Sequence, residues 1–191
     1  MKREKILFIF LFAIFFLPYN IHAATLTMTS GAGESRVGQK VTIDLEVKVE
    51  RPINAVEGWV SFPHEILQVE RVLKGGSVME IWAVEPEIDN SSGLVHFVAG
   101  LPYPGYGDGK KQGHIASLIF KAISPGEATI SYTDGSKVVL GDGFGTLDKL
   151  TKESALISVL PADRYLAWVF IIVLVVLFII IYGIKNYARR F

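Results

Sequence analysis

Beyond residue 23 this 191-residue chain carries three histidines, His64, His96 and His114. None has a second ligand at metal-binding spacing, and no H-E-x-x-H run occurs. Cysteine is absent, which removes thiol nucleophiles and thiolate metal sites. Glu85 with Glu87, or Glu87 with Asp89, are the residue types of a glycosidase pair, which needs two carboxyl groups facing one bond. They flank Pro86 with nothing convergent beside them, and read as solvated loop charges. Gly141-Asp142-Gly143-Phe144-Gly145 lacks the lysine that a phosphate loop requires and reads as a turn. There is no G-x-S-x-G elbow. Asp89, Asn90, Asp108, Asp134, Asp142 and Asp148 offer the oxygens calcium prefers, but no D-x-[DN]-x-[DN]-G loop is present. No catalytic residue, metal or cofactor is expected, and the chain is not read as an enzyme.

Recognition chemistry is better represented. In Ile53 to Pro63, a period of two places Val56, Gly58, Val60 and Phe62 on one face and Ala55, Glu57, Trp59 and Ser61 on the other. The second face should be the wet one, yet it carries a tryptophan. Tyr103 and Tyr106 sit in Leu101-Pro102-Tyr103-Pro104-Gly105-Tyr106-Gly107, a segment too rich in Pro and Gly for a strand. Exposed aromatics of this kind stack on sugar rings or anchor a protein interface. Trp82, by contrast, reads as a plug for the end of a core.

The elements that must position these residues are strands. Lys40 to Val49 alternates, with Val41, Ile43, Leu45, Val47 and Val49 facing in. Further strands are expected at Thr25–Thr29, Val56–Phe62, Leu67–Leu73, Ile81–Val84, Leu94–Ala99, Ile115–Ile123 and Ala155–Val159. Ala128–Tyr132 and Lys137–Leu140 flank Asp134-Gly135, a hairpin signal. A loop containing Pro86 is expected between Val84 and Leu94. Eight to ten short strands with frequent Gly and Pro turns predict an all-β sandwich.

The two ends lie outside that sandwich. Residues 1–23 have a basic start, an apolar run and a small residue at the end, the layout of a cleaved signal peptide. Leu166 to Ile184 is free of charge; nineteen residues at 1.5 Å give about 28 Å, enough to cross a bilayer core. Tyr165, Trp168 and Tyr182 lie near its ends, and Lys185, Arg189 and Arg190 follow it. The expected organisation is a signal peptide (1–23), an exported β-domain (24–160), a short linker (161–165), one transmembrane helix (166–184) and a cytoplasmic tail (185–191). The exported part holds 12 Lys and Arg against 17 Asp and Glu, a net charge of −5. An acidic exterior domain is not a nucleic-acid binder. The localisation that follows is the cell membrane, crossed once, with the large domain outside.

Five segments in order resemble one family. Val37-Gly38-Gln39-Lys40-Val41 is similar to the V-G-x-x-V opening strand of cohesin domains, and Phe62-Pro63-His64-Glu65-Ile66-Leu67 to their F-x-x-x-L segment. Gly93-Leu94-Val95-His96-Phe97 is similar to G-x-V-x-F, Gly113 to Ala122 to G-x-[IL]-x-x-[IL]-x-F-x-A, and Gly126 to Ile130 to G-x-[AT]-x-[IL]. The chain most resembles divergent cohesin-like domains of membrane-anchored bacterial proteins. That resemblance implies a roughly nine-stranded jelly-roll sandwich and a non-catalytic module that binds a dockerin domain of another protein. It implies a partner on one flat sheet face, here with Glu57, Trp59, Ser61 and His96 as candidates. The function expected is a surface-anchored recognition module for a dockerin-type or other extracellular protein, with a possible link to polysaccharide degradation. The alternative is direct carbohydrate binding through Trp59, Tyr103 and Tyr106.

Overall fold

The computed structural model describes residues 23–107, 112–163 and 165–188. The expected signal segment (residues 1–22 of it), Asp108 and the last three residues of the tail lie outside them. Two sheets face each other. The first is ordered β11 (Leu150–Lys152), β1 (Ala24–Ser30), β3 (Lys40–Lys48), β8 (Gln112–Ala122) and β5 (Leu67–Leu73). The second is ordered β2 (Glu34–Arg36), β12 (Ala155–Leu160), β9 (Gly126–Tyr132), β4 (Ile53–Ser61), β7 (Leu94–Gly100) and β6 (Ile81–Asp89), with β10 (Lys137–Leu140) also paired to β4. The first six strands alternate between the sheets, so nearly every pairing is long-range. This is the expected all-β sandwich.

The inward set is the one that alternation predicts. Val41, Ile43, Leu45, Val47 and Val49 are buried, as are Val56, Val60 and Phe62. Ala116, Leu118, Phe120 and Ala122 of β8, beside β3 in the first sheet, are buried with them. Phe62 and Phe120 close the layer edge-on at 5.2 Å. Each such apolar side chain removed from water contributes about 1.5–3 kcal/mol. Gly58 belongs to this set because Phe97 lies over it: a Cβ there would fall 2.2 Å from the ring.

Three local expectations are corrected. First, Asp134-Gly135 does not turn a hairpin. β9 and β10 both run antiparallel to β4, with Ser131 opposite Ser61, Tyr132 opposite Val60 and Lys137 opposite Glu57. They form one interrupted strand along β4, and Thr133 to Ser136 is a flap thrown out of it. The turn residues are real, but β4 captures both flanking segments. Second, β6 continues through Pro86 to Asp89 rather than ending at Val84. It is the edge strand, so the missing N–H can face away from β7, and the pairing shifts register between Val84 and Glu87. Third, β2 and β11 were not expected. Three residues each cannot display a period, and both are held by parallel pairing to distant strands, β12 and β1. The described residues thus form twelve strands, or eleven with the interrupted strand counted once, more than the roughly nine expected.

Helix α1 spans Tyr165–Ala188 and contains the expected span. Among the described residues, however, no helix is long and apolar enough to cross a membrane. Trp168 to Tyr182 of this helix is exposed throughout.

Candidate partner-binding face

The outward row of β4 is aligned with its neighbours by strand register. Trp59 stands opposite His96 of β7, and His96 opposite Glu87 of β6. One step along, Ser61 stands opposite Leu94 and Ser131, and Leu94 opposite Asp89. On the other side Glu57 stands opposite Lys137. The pleat sends all of these side chains to the face away from the core.

Trp59 and His96 stack with ring centroids 3.8 Å apart and planes 20° from parallel. Glu57 ties the pair together. The Trp59 indole N–H donates to its Oε1 at 3.0 Å, and His96 Nε2 lies 3.4 Å from the same oxygen. Lys137 Nζ donates to Oε2 at 3.2 Å. Ser61 Oγ lies 3.2 Å from Ser131 Oγ. The cluster is therefore half-buried and cross-braced over three strands.

The flap sets the pose of Trp59. Where β9 leaves β4, Thr133 N–H donates to Trp59 O at 2.8 Å. The buried Ser136 hydroxyl then takes the place of a strand backbone, accepting from Trp59 N–H at 3.0 Å and lying 3.2 Å from Trp59 O. Gly135 packs on the indole itself; a Cβ there would be 2.9 Å from Cδ1. Lys152 pins the flap through Asp134 Oδ1 at 2.5 Å. Ser136→Ala should destabilise the protein by about 1–2 kcal/mol, the effect of stranding buried backbone groups. It should also red-shift tryptophan emission. Urea unfolding measures the first, and a shift that disappears in a Trp59→Phe background assigns the second to this residue.

The electrostatics follow from the contacts. The Trp59 N–H, with help from Lys137 and His96 and against partial burial, holds the Glu57 carboxyl below its ordinary value of 4.5. A depressed folded value stabilises the protein fully above the unfolded value, and that contribution is lost as pH falls through the folded one. The melting temperatures of wild type and Glu57→Gln should differ most near neutrality and converge as the pH drops below the carboxylate range. A gap that stays constant in thermal melts from pH 7 to pH 3 would refute this charge effect.

Beside the stack lies a shallow hollow of about 340 Å³, lined by Trp59, His96, Leu94, Glu87, Ile88 and Asp89. Asp89 accepts from the Ser91 and Ser92 hydroxyls, both at 2.6 Å, and from their backbone N–H groups. These donors, the Ser91 hydroxyl first, hold its carboxyl well below the usual range.

The structure thus brings together Glu57, Trp59, Ser61 and His96. It separates Tyr103 and Tyr106 from them. Tyr106 is in the core rather than exposed; it bridges to Ile53, and its hydroxyl donates to the Gln112 carbonyl. A loop full of Pro and Gly looked solvent-facing, but its backbone is stitched to Ile53 through reciprocal hydrogen bonds of 2.8 and 2.7 Å. Tyr103 is 86% exposed on the same loop. That loop meets β4 at Ile53, six residues or about 20 Å from Trp59. Trp59, Tyr103 and Tyr106 therefore do not form one sugar platform. Trp82 is partly buried against Phe97 at 5.8 Å, with Lys74 over its ring.

Sequence reasoning missed Ser136, Lys137, Glu87 and Asp89 as members of the site. The flap hid the first two, and the apparent Pro86 loop hid the others. The carboxylates considered for calcium are dispersed. Asp134 binds Lys152, Asp142 caps Phe144 N–H at 2.9 Å, Asp148 pairs with Arg51, and Asn90 brackets the backbone of Val69. Among the described residues no three His, Asp or Glu groups could hold a metal ion together.

Fold and face together define a sandwich module with a cross-braced outer sheet face, and comparison with known structures narrows the fold: the chain has the cohesin fold. Over 74% of this chain and 99% of the other, it superposes on a cohesin module from a family 33 glycoside hydrolase of Clostridium perfringens, with a TM-score of 0.59 at 12% identity. A non-cellulosomal cohesin from Archaeoglobus fulgidus gives 0.58 at 14% identity, covering 76% and 95% of the two chains. A type I cohesin–dockerin complex from Clostridium thermocellum gives 0.57 at 15%, covering 75% and 99%. No family model and no curated protein matches the sequence.

Proposed function

We propose that this protein is a surface-anchored, non-catalytic recognition module that binds a dockerin-type extracellular protein on the outer face of β4, β7 and β6. The observation that carries the reading is the Glu57–Trp59–His96 cluster. A large aromatic, stacked and hydrogen-bonded into one pose, stands on an open sheet face of a cohesin fold. Pre-set aromatics of this kind dominate protein interfaces, because little side-chain freedom is left to lose on binding. Cohesin structures solved in complex with dockerins add the partner class.

Anchoring rests on the sequence of the C-terminal segment. Leu166 to Ile184 is uncharged, lies within α1, and is followed by Lys185, Arg189 and Arg190. Together with a cleaved leader over 1–23, this run is the basis for proposing a single span with the sandwich outside the cell membrane. The function is tested by titrating the full-length chain in detergent micelles with purified dockerin modules from the same genome. Saturable heat release with at least one is expected, and its absence with all of them would overturn the dockerin assignment. Carbonate washing of membranes tests the anchor: release of the chain into the wash would rule out a span.

A further inference from the structure

The bond between Ala23 and Ala24, where the expected leader ends, lies at the first residue of β1. Ala24 is fully buried, and its N–H donates to the Lys149 carbonyl at 2.9 Å. It stands opposite Leu150 of β11, and its neighbour Thr25 stands between Thr151 of β11 and Lys48 of β3. β1 is therefore paired on both edges from its first residues. Leu26, two residues further on, has no exposed surface either. The two flanking strands reach β1 at different times. β3 follows it closely in the chain, whereas Leu150 comes about 125 residues after Ala24. At about 5–20 residues per second, synthesis takes about 6–25 s to supply β11.

We propose that folding seals this bond, so that a signal peptidase reaches Ala23–Ala24 only before β11 closes on β1. The inference rests on the reading of 1–23 as a cleaved leader and fixes when the cut is made. Hydrolysis adds one water across the bond, leaving a carboxylate on Ala23 and an amine, protonated to an ammonium, on Ala24. In the folded chain the Ala24 nitrogen is committed to Lys149. To draw it into a protease cleft, β1 must part from β11 and Leu26 must leave the core. Such openings are rare for a strand paired on both edges, unlike the fraying of a free terminus. In the mature chain the new ammonium can still donate to the Lys149 carbonyl, so an early cut costs β1 no hydrogen bond. The topology thus sets an order: the leader leaves first, and the strand that closes over its junction arrives last.

The test uses the full-length chain with residues 1–23 in place, made by cell-free synthesis into detergent micelles. Near-ultraviolet circular dichroism establishes that it is folded, and a purified bacterial signal peptidase is then added. The comparator is Thr151→Pro, which removes an N–H from β11 opposite Thr25 and breaks the ladder beside the bond. The variant should be cut about a hundredfold faster than the folded wild type, because cutting follows the population of the open form. That holds whether the proline frees β1 alone or unfolds the whole sandwich, since either exposes the bond. Equal rates of cutting in the two proteins overturn the inference. The intact mass of chain made in cells with an active peptidase tests the leader separately. A mass beginning at Ala24, with equal rates in the purified reaction, sinks the sealing and leaves the leader reading standing. A mass that retains 1–23 sinks both.

Discussion

Replacing Trp59 with alanine should weaken binding of a dockerin partner about a hundredfold while the sandwich stays folded. Three contributions add up to that effect. The side chain supplies the largest apolar surface on the outer face of β4. It holds His96 in place by stacking at 3.8 Å, and its N–H fixes Glu57 at 3.0 Å. Removing it therefore frees two further side chains, whose rotamer entropy must then be lost on binding. Aromatic truncations at the centre of an interface remove about 2–4 kcal/mol, and a hundredfold corresponds to about 2.7 kcal/mol. The loss of fold stability should be smaller, about 1–2 kcal/mol, because the ring is only half-buried. Trp59→Phe retains a ring for His96 but not the N–H for Glu57, and should fall between the two. Calorimetric titration gives the affinities and circular dichroism the fold. Wild-type affinity in a folded Trp59→Ala protein would move the binding site elsewhere.

The largest effect on stability is expected at Phe97, which is fully buried and contacts β4 through the flat space above Gly58. Phe97→Ala should destabilise the protein by about 3–5 kcal/mol, combining lost burial with the cavity left behind. Gly58→Ala fails for the opposite reason. Its Cβ would meet three ring atoms between 2.2 and 2.9 Å, so β4 and β7 must separate, at about 1–3 kcal/mol. The two positions are coupled by one volume. The double variant should be no less stable than Phe97→Ala alone, because the methyl added by Gly58→Ala then occupies vacated space. Urea denaturation of all four proteins measures the cycle. Simple additivity of the two losses would show that Phe97 does not cover Gly58 as described.

Much of this was legible in the chain. The inward faces of β3, β4 and β8 followed from alternation, since a period of two translates directly into side-chain direction. Placing Trp59 and Glu57 on the outer face required nothing more. His96 entered only through the resemblance of Gly93 to Phe97 to a cohesin strand, yet register puts it directly opposite Trp59. The errors share one cause: Asp134-Gly135, Pro86 and the loop around Tyr106 were each judged from local propensity. Long-range pairing decided all three. β4 recruited both sides of the flap, the sheet edge tolerated the proline, and Ile53 drew Tyr106 into the core.

The sequence by itself determined the strand content and the core faces, because these depend on residue identity and on a period of two. The tertiary structure alone decided which strands lie side by side. Strand order is set by contacts between residues far apart in the chain, and the entropy of closing those loops leaves no local trace. The stack of Trp59 on His96, the Ser136 hydroxyl standing in for a strand, and the hollow that β4, β7 and β6 line together all arise from that order.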